Sequence, residues 1–294
     1  MTARAGPENA AAGVGLMLLA ALLFALNDAL GKWLVATYSV GQVLVLRSVA
    51  ALAVLAPLVR RDGAAHLLRP ARPGLQALRV LLGSVEVAAF YWAVSMMPLA
   101  DTLAFWMATP LLVAVASALV LGEPLGATRL AAIAAGFVGV ALALGARPAD
   151  AGWLPAAVAG VGVAAYTGFL LCTRGLRGTP AGALAAYQML GALALGLALL
   201  PTGWAATPGP LDAALLMLLG VVGAGAHLLV TRSLALAPAA VVVPWQYSMI
   251  VWGVLFGWAF FGDVPTPPML LGVAVIVAAG LWLGHLDRAR ARGG

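Results

Sequence analysis

The sequence predicts an all-α polytopic membrane protein: ten transmembrane helices in two inverted five-helix repeats, with both termini cytoplasmic. Three observations lead there. The first is composition. Of 294 residues, 64% are hydrophobic and 9% charged, with a mean hydropathy of +1.05. Soluble domains carry roughly 25% charged residues, and a fold this apolar has too little polar surface to cover itself in water. The second is a succession of apolar runs, most about 20 residues long, the length that crosses a hydrocarbon layer of about 30 Å. The third is a constant shift of 140 residues that lays the first half of the chain over the second.

Punctuated by Pro, Gly and charge, the runs fall at 12–34, 40–59, 76–96, 100–121, 128–146, 153–174, 182–200, 212–234, 239–261 and 267–286. The first is long enough to span and lacks a convincing cleavage site, so it reads as a span rather than a signal peptide. The connections are short; the longest is "VRRDGAAHLLRPARPG", starting at Val59. With the N-terminus inside, 13 of the 16 basic residues gather on the inner side: Arg4, Arg60, Arg61, Arg69, Arg72, Arg79, Arg129, Arg174, Arg177, Arg232, Arg288, Arg290 and Arg292. Lys32 and Arg147 fall outside and Arg47 within a span. This bias sets the expected orientation. It also accounts for the net charge of +6 without nucleic acid as a partner. The single cysteine, Cys172, excludes an intrachain disulfide and any C-x-x-C metal framework.

The shift is visible in "VLGEPLG" (120–126) and "FFGDVPT" (260–266), whose acids, Glu123 and Asp263, stand 140 positions apart. Pro98 then overlies Pro238, Gly83 overlies Gly223, and "SMMPLA" (95–100) overlies "ALAPAA" (235–240). The expected halves are 1–146 and 147–294. Five spans per half is an odd number, so the second half enters the membrane from the opposite side. Glu123 and Asp263 then lie at opposite faces, where Gly and Pro end a helix and turn the chain. Inverted repeats give two related halves with opposite openings, an architecture common to secondary transporters.

The segments "LFALNDALGKWLV" (23–35), "GQVLVLRS" (41–48), "RVLLGSVEVAAFYWAVSMMPLADTLAFWMATPLLVAVASALVLGEPLG" (79–126) and "LVTRSLALAPAAVVVPWQYSMIVWGVLFGWAFFGDVPT" (229–266) occur in an order that resembles the drug/metabolite transporter superfamily, specifically its ten-helix EamA-type members. The resemblance covers nearly the whole chain. It implies a cavity lined by the third, fourth, eighth and ninth helices with parts of the first and sixth, peripheral fifth and tenth helices, and transport by alternating opening without ATP. Relatives move amino acids, S-adenosylmethionine, riboflavin, nucleobases, sugars and cationic drugs. Asp263 stands where Glu is commoner in the family.

Charged side chains within a bilayer cost roughly 2.5–3.5 kcal/mol on insertion scales, so each one asks for a reason. Asp28 and Lys32 are one helical turn apart on span 1, beside Asn27, and Arg47 lies about seven residues into span 2. Their depth lets the three form one polar network, either coupling transport or holding the fold, with Lys32 reaching to water. Glu86, in the middle of span 3, must be protonated, paired or open to a watery cavity. It is a candidate for binding a cationic group or carrying a coupling proton; the alternative is a protonated acid bonded across helices. His227 lies one residue past the repeat equivalent of Glu86, on span 8. Aromatic and amide groups complete the candidate substrate-binding set, which comprises Asn27, Glu86, Tyr91, Trp106, Tyr166, His227, Trp245, Gln246 and Tyr247. Such a lining suits a small amphiphilic or aromatic solute. Trp153, Trp204 and Trp258 read as interface anchors. Pro110 and Pro244 interrupt spans 4 and 9 as candidate hinges or packing kinks.

The chain has no G-x-x-x-x-G-K-[ST] loop and no H-E-x-x-H pair, and its histidines, His66, His227 and His285, are scattered. No catalytic residue, metal or cofactor is therefore expected. The expected function is alternating-access transport of small organic metabolites across a bacterial inner membrane, with export of amino acids or related solutes favoured. Uptake or exchange of S-adenosylmethionine or riboflavin, and passive facilitation, are the alternatives. Expected partners are the solute, lipid and a coupling proton. A monomer is expected, a dimer being the other assembly compatible with the sequence.

Overall fold

A computed structural model describes residues 7–62, 67, 70–121, 127–145, 152–176, 178–205, 207–236 and 242–293. Among them are eleven α-helices: α1 Pro7–Val35, α2 Val40–Asp62, α3 Pro73–Met96, α4 Leu99–Met107, α5 Thr109–Leu121, α6 Ala127–Gly145, α7 Leu154–Gly175, α8 Ala181–Leu199, α9 Pro210–Leu236, α10 Ser248–Phe261 and α11 Pro267–Gly293. Two 3₁₀ turns, Leu200–Thr202 and Val243–Tyr247, adjoin α8 and α10. The described residues contain no strand, as expected of a spanning fold whose backbone must satisfy itself within each segment. Six stretches are long and apolar enough to cross a membrane: Ala11–Val35, Val40–Asp62, Pro73–Met96, Leu154–Thr173, Ala181–Leu199 and Pro210–Ser233. Glu123, Pro238 and Arg147 lie outside the described residues.

Helix ends follow local chemistry. Pro73 and Pro155 open α3 and α7 within their first turns, where a missing N–H costs nothing. Ser39 and Gln42 close a capping box at the start of α2: Gln42 N–H donates to Ser39 Oγ at 3.3 Å, and Ser39 N–H donates to Gln42 Oε1 at 3.1 Å. At the other kind of terminus, Gly262 takes a left-handed φ of 68° beyond α10. Its N–H donates to Trp258 C=O at 3.1 Å, and Asp263 N–H donates to Gly257 C=O at 3.0 Å. The second of the two Gly-acid phrases is thus a helix stop.

Span 4 departs from the single helix expected. It divides into α4 and α5 at Ala108, whose N–H donates to Phe105 C=O at 3.0 Å while its own carbonyl accepts Leu111 N–H at 3.0 Å. Pro110, two residues on, has no N–H to return to Trp106 C=O, which is the physical reason for a break here. Span 9 also begins differently from expectation. Pro244 does not kink a continuous helix; it lies in the first turn of the Val243–Tyr247 3₁₀ segment, and the α-helix proper starts at Ser248.

The helices form two compact units. One comprises residues 30–97 with 152–224, the other 1–29, 98–151 and 225–294. In the first unit α2 packs on α8, and α3 packs on α7 and α8. Gly41 and Gly196 meet where α2 crosses α8: a Cβ on Gly41 would stand 3.1 Å from the Gly196 carbonyl oxygen, and one on Gly196 would stand 3.0 Å from that of Gly41. Small residues permit this approach where no hydrophobic effect drives helices together. Polar ties close both ends of this unit. At one end Tyr38 Oη donates to Asp212 Oδ2 at 2.5 Å, and Ala205 N–H donates to Gln42 Oε1 at 2.9 Å. At the other end Gly182 N–H donates to Asp62 Oδ2 at 3.0 Å, and Tyr187 Oη donates to Leu67 C=O at 2.5 Å.

In the second unit α6 packs along α11, and α4 against α10. Gly139 and Gly272 set the α6–α11 crossing: a Cβ on Gly139 would reach 2.8 Å from the Gly272 carbonyl oxygen, and one on Gly272 would reach 2.5 Å from Ala143 N. Ala104, Ala143, Ile250 and Ile276 form a core in which Tyr247 also packs. α1 meets α9 through Ser233 Oγ, which donates to Gly13 C=O at 2.6 Å, while Met17 packs with Val230 and Val242.

Candidate functional site

The candidate residues divide between the two units. The first unit holds Lys32, Arg47, Glu86, Tyr91 and Tyr166. The second holds Asn27, Asp28, Trp106, His227, Trp245, Gln246 and Tyr247, with Pro110 and Pro244.

In the first unit two polar groups occupy different sides of α3. Glu86 is half-buried and lies within electrostatic reach of Tyr166 on α7. The Tyr166 ring stacks on Phe169 at 6.0 Å between centroids and 16° between planes. Tyr91 is five residues beyond Glu86, which on a helix is a rotation of roughly 140°. It is 2% exposed, lies edge-on to Phe90 at 5.7 Å, and meets α1 at Gly31, where a Cβ would stand 2.6 Å from its Cε1. The Arg47 guanidinium lies over the Tyr91 ring, 5.5 Å from its centre, a geometry that favours a cation on the ring face. Arg47 is 9% exposed, and its Nε has no hydrogen-bond partner among the described residues. Lys32 is half-buried on α1.

In the second unit Asn27 is buried and Asp28 half-buried, both on α1. Phe24, one turn before Asp28, meets the His227 ring edge-on at 4.9 Å. His227 itself is exposed on α9. Trp106 is buried at the end of α4, whereas Trp245, in the 3₁₀ turn, is 46% exposed. Gln246 is half-buried. Tyr247 presses so closely on α11 that a Cβ at Gly280 would overlap its hydroxyl. Trp153, Trp204 and Trp258 are exposed at or beyond helix ends.

Residues that sequence reasoning passed over also carry polar chemistry. Arg79 counts as a loop charge in the orientation argument, yet it lies inside α3 at 5% exposure. Its Nε donates to Thr173 Oγ1 at 2.8 Å, its Nη1 donates to Leu184 C=O at 3.1 Å, and its guanidinium covers Phe169 at 4.4 Å. The signal was present, since Pro73 opens the helix six residues earlier. Ser84 on α3 and Gln188 on α8 face each other's glycines, Gly191 and Gly83, and both Ser84 Oγ and Gln188 Oε1 lack hydrogen-bond partners. Neither is charged, so neither stands out in the sequence as a membrane-buried charge does.

One titratable group outside the spans is perturbed. The Tyr38 phenol is held above its ordinary value of 10.0, first because it donates to the Asp212 carboxylate, then through burial and that carboxylate's charge. Among the described residues no group of His, Cys, Asp and Glu is arranged to hold a metal ion.

Comparison with known proteins agrees with this helical architecture. A solved crystal structure covers 94% of this chain and 98% of its own, with a TM-score of 0.67 at 20% identity, and shows the fold. A riboflavin transporter of Rhizobium johnstonii is 30% identical over 292 residues, 97% of this chain and 95% of that protein. A riboflavin transporter of Vibrio cholerae is 26% identical over 281 residues, 94% of each chain. The pseudopaline exporter CntI of Pseudomonas aeruginosa is 28% identical over 291 residues, 94% of this chain and 97% of that one. The model of the EamA-like transporter family matches twice, at residues 11–145 and 152–284. Together these make the chain a multi-pass membrane transporter and a member of the EamA-like transporter family.

Proposed function

We propose that this chain is a secondary carrier of small organic metabolites, working by alternating access in a bacterial inner membrane, with both termini cytoplasmic and two inverted halves at 1–146 and 147–294. The observation that carries the reading is the 140-residue correspondence. Two separate family matches start at residues 11 and 152, which supports it. Helix pairing supports it as well. Under the shift, the α2–α8 and α6–α11 pairs exchange their members, and the α3–α7 pair becomes α9–α1. The break at Ala108 in span 4 falls on Ser248, where α10 begins.

Glu86 is the favoured contact for a cationic solute group or a coupling proton, and Tyr166 its neighbour. The aromatic residues Tyr91, Trp106, Trp245 and Tyr247, with Asn27, Gln246 and His227, are proposed to recognise the solute. Asp28, Lys32 and Arg47 are proposed as the surrounding polar network, and Pro110 and Pro244 as hinges. Export of amino acids or related amphiphilic solutes is the first reading. Carriage of riboflavin is the second, favoured by the R. johnstonii and V. cholerae relatives.

Purified protein in liposomes decides between them. Preloaded vesicles should show saturable counterflow of an amino acid or of riboflavin, whereas a passive channel would give none. Glu86→Gln should change the rate and flatten its pH dependence between about pH 5 and 8. An unchanged profile would remove Glu86 from the mechanism.

A further inference from the structure

Resting on the carrier reading above, we infer that Arg47 is the anion-recognition residue of this transporter, binding a carboxylate or phosphate group of the solute. Arg47 lies about 10 Å along α2 from its N-terminal end, in a segment long and apolar enough to cross a membrane. It is 9% exposed, and its Nε has no hydrogen-bond partner. No acid of the described residues pairs with it. Glu86, on the neighbouring α3, lies on another side of that helix beside Tyr166. A guanidinium stays charged in any protein environment, so burial cannot neutralise it, and a buried cation without a counter-charge is costly.

The site around it is built. The backbone at Arg47 is clamped by α9, because a Cβ at Gly220 would stand 2.0 Å from the Arg47 carbonyl oxygen. The guanidinium carbon lies over the Tyr91 ring, 5.5 Å from its centre, and Tyr91 is itself packed against Gly31. Ser48, the next residue, is wholly buried, and its Oγ also lacks a partner. A planar fork of N–H donors whose Nε is unpartnered matches the two oxygens of a carboxylate or phosphate. Arg79 shows the contrast. It is also buried, but its Nε is used by Thr173 and its Nη1 by Leu184, with Phe169 beneath its guanidinium carbon at 4.4 Å. Arg79 is finished by the protein, whereas Arg47 is left to be finished by a ligand. A neutral solute would leave it unpaired.

The test uses the full chain in liposomes and two solute pairs differing in one anionic group: L-phenylalanine against L-phenylalaninamide, and riboflavin 5′-phosphate against riboflavin. The wild-type protein should prefer the anionic member of at least one pair by roughly ten- to a hundredfold in kcat/KM, the range of a charge-assisted hydrogen bond. The two pairs separate carboxylate from phosphate as the preferred source. Arg47→Gln should abolish the preference by raising KM for the anionic member, and Arg47→Lys should retain part of it. Movement of all four solutes without preference, or a preference that survives Arg47→Gln, would overturn the inference and leave the carrier reading standing. Failure of all four to move would overturn the carrier reading for these cargoes, and the inference with it. Should Arg47→Gln fail to fold, the wild-type preference and the Arg47→Lys profile decide.

Discussion

The two units use different means to hold helices that are alike in composition. In the unit of residues 30–97 and 152–224, α2, α3, α7 and α8 run unbroken, and hydrogen bonds between elements fasten both ends. Its interior retains polar atoms without partners, on Arg47, Ser48, Ser84 and Gln188. In the other unit, spans 4 and 9 are interrupted, only Thr109 Oγ1 of the buried side-chain polar atoms of its described residues is left without a partner, and cohesion comes from apolar packing, the α6–α11 glycine crossing and the Ser233–Gly13 hydrogen bond. A continuous helix tied at each end resists bending, whereas an interrupted one can change direction at the interruption. The comparison teaches that end-to-end hydrogen-bonded ties and interrupted helices are concentrated in different parts of the chain.

The strongest challenge to this contrast is Gly272→Ala. The added Cβ meets backbone 2.5 Å away, which cannot yield as a flexible side chain would, so a loss of roughly 1–3 kcal/mol is expected. Gly41→Ala, with 3.1 Å to its nearest neighbour, should cost less, and Gly160→Ala, with nothing within 4 Å, almost nothing. Thermal unfolding in detergent ranks the three; equal losses at Gly41 and Gly272 would erase the distinction between the units' crossings. Next comes Pro110→Ala. Restoring an N–H lets α4 and α5 join, so stability should rise by about 1 kcal/mol, the net value of one regained backbone hydrogen bond, while turnover in liposomes falls. Unchanged turnover would make the break a packing feature.

The smallest effect belongs to Tyr38→Phe. Because the folded Tyr38 value is raised above 10.0 by its bond to Asp212, the tie contributes below about pH 10 and is lost as pH rises through the raised value. The melting-temperature gap between wild type and variant should therefore be full at pH 8 and close at strongly alkaline pH. A gap that persists there would assign the stabilisation to packing of the ring.

Much of the helix register was legible because membrane segments are bounded by punctuation that chain-local chemistry explains. The span expected at 128–146 is α6 at Ala127–Gly145, and that expected at 153–174 is α7 at Leu154–Gly175. The exact break in span 4 was less legible: Pro110 announces a defect, but the proline alone does not say that the helix ends two residues earlier, at Ala108. Side-chain environment was hardest to read. Tyr247 stood out as a polar aromatic near Trp245, yet its hydroxyl is fitted to Gly280, 33 positions away, a contact no periodicity encodes. Arg47 was visible as a charge in a span. That its Nε lacks a hydrogen-bond partner while Nε and Nη1 of Arg79 are both used is a property of which neighbours the fold supplies.

The interruptions of spans 4 and 9 also bear on inheritance. They coincide under the 140-residue shift, yet their prolines do not: Pro110 follows its break at Ala108 by two residues, and Pro244 precedes Ser248 by four. If the two proposed halves share an origin, the discontinuity has outlived any shared proline, each half withholding a backbone donor in its own way. Searching such proteins for matched prolines would miss the correspondence that matching the helix ends reveals.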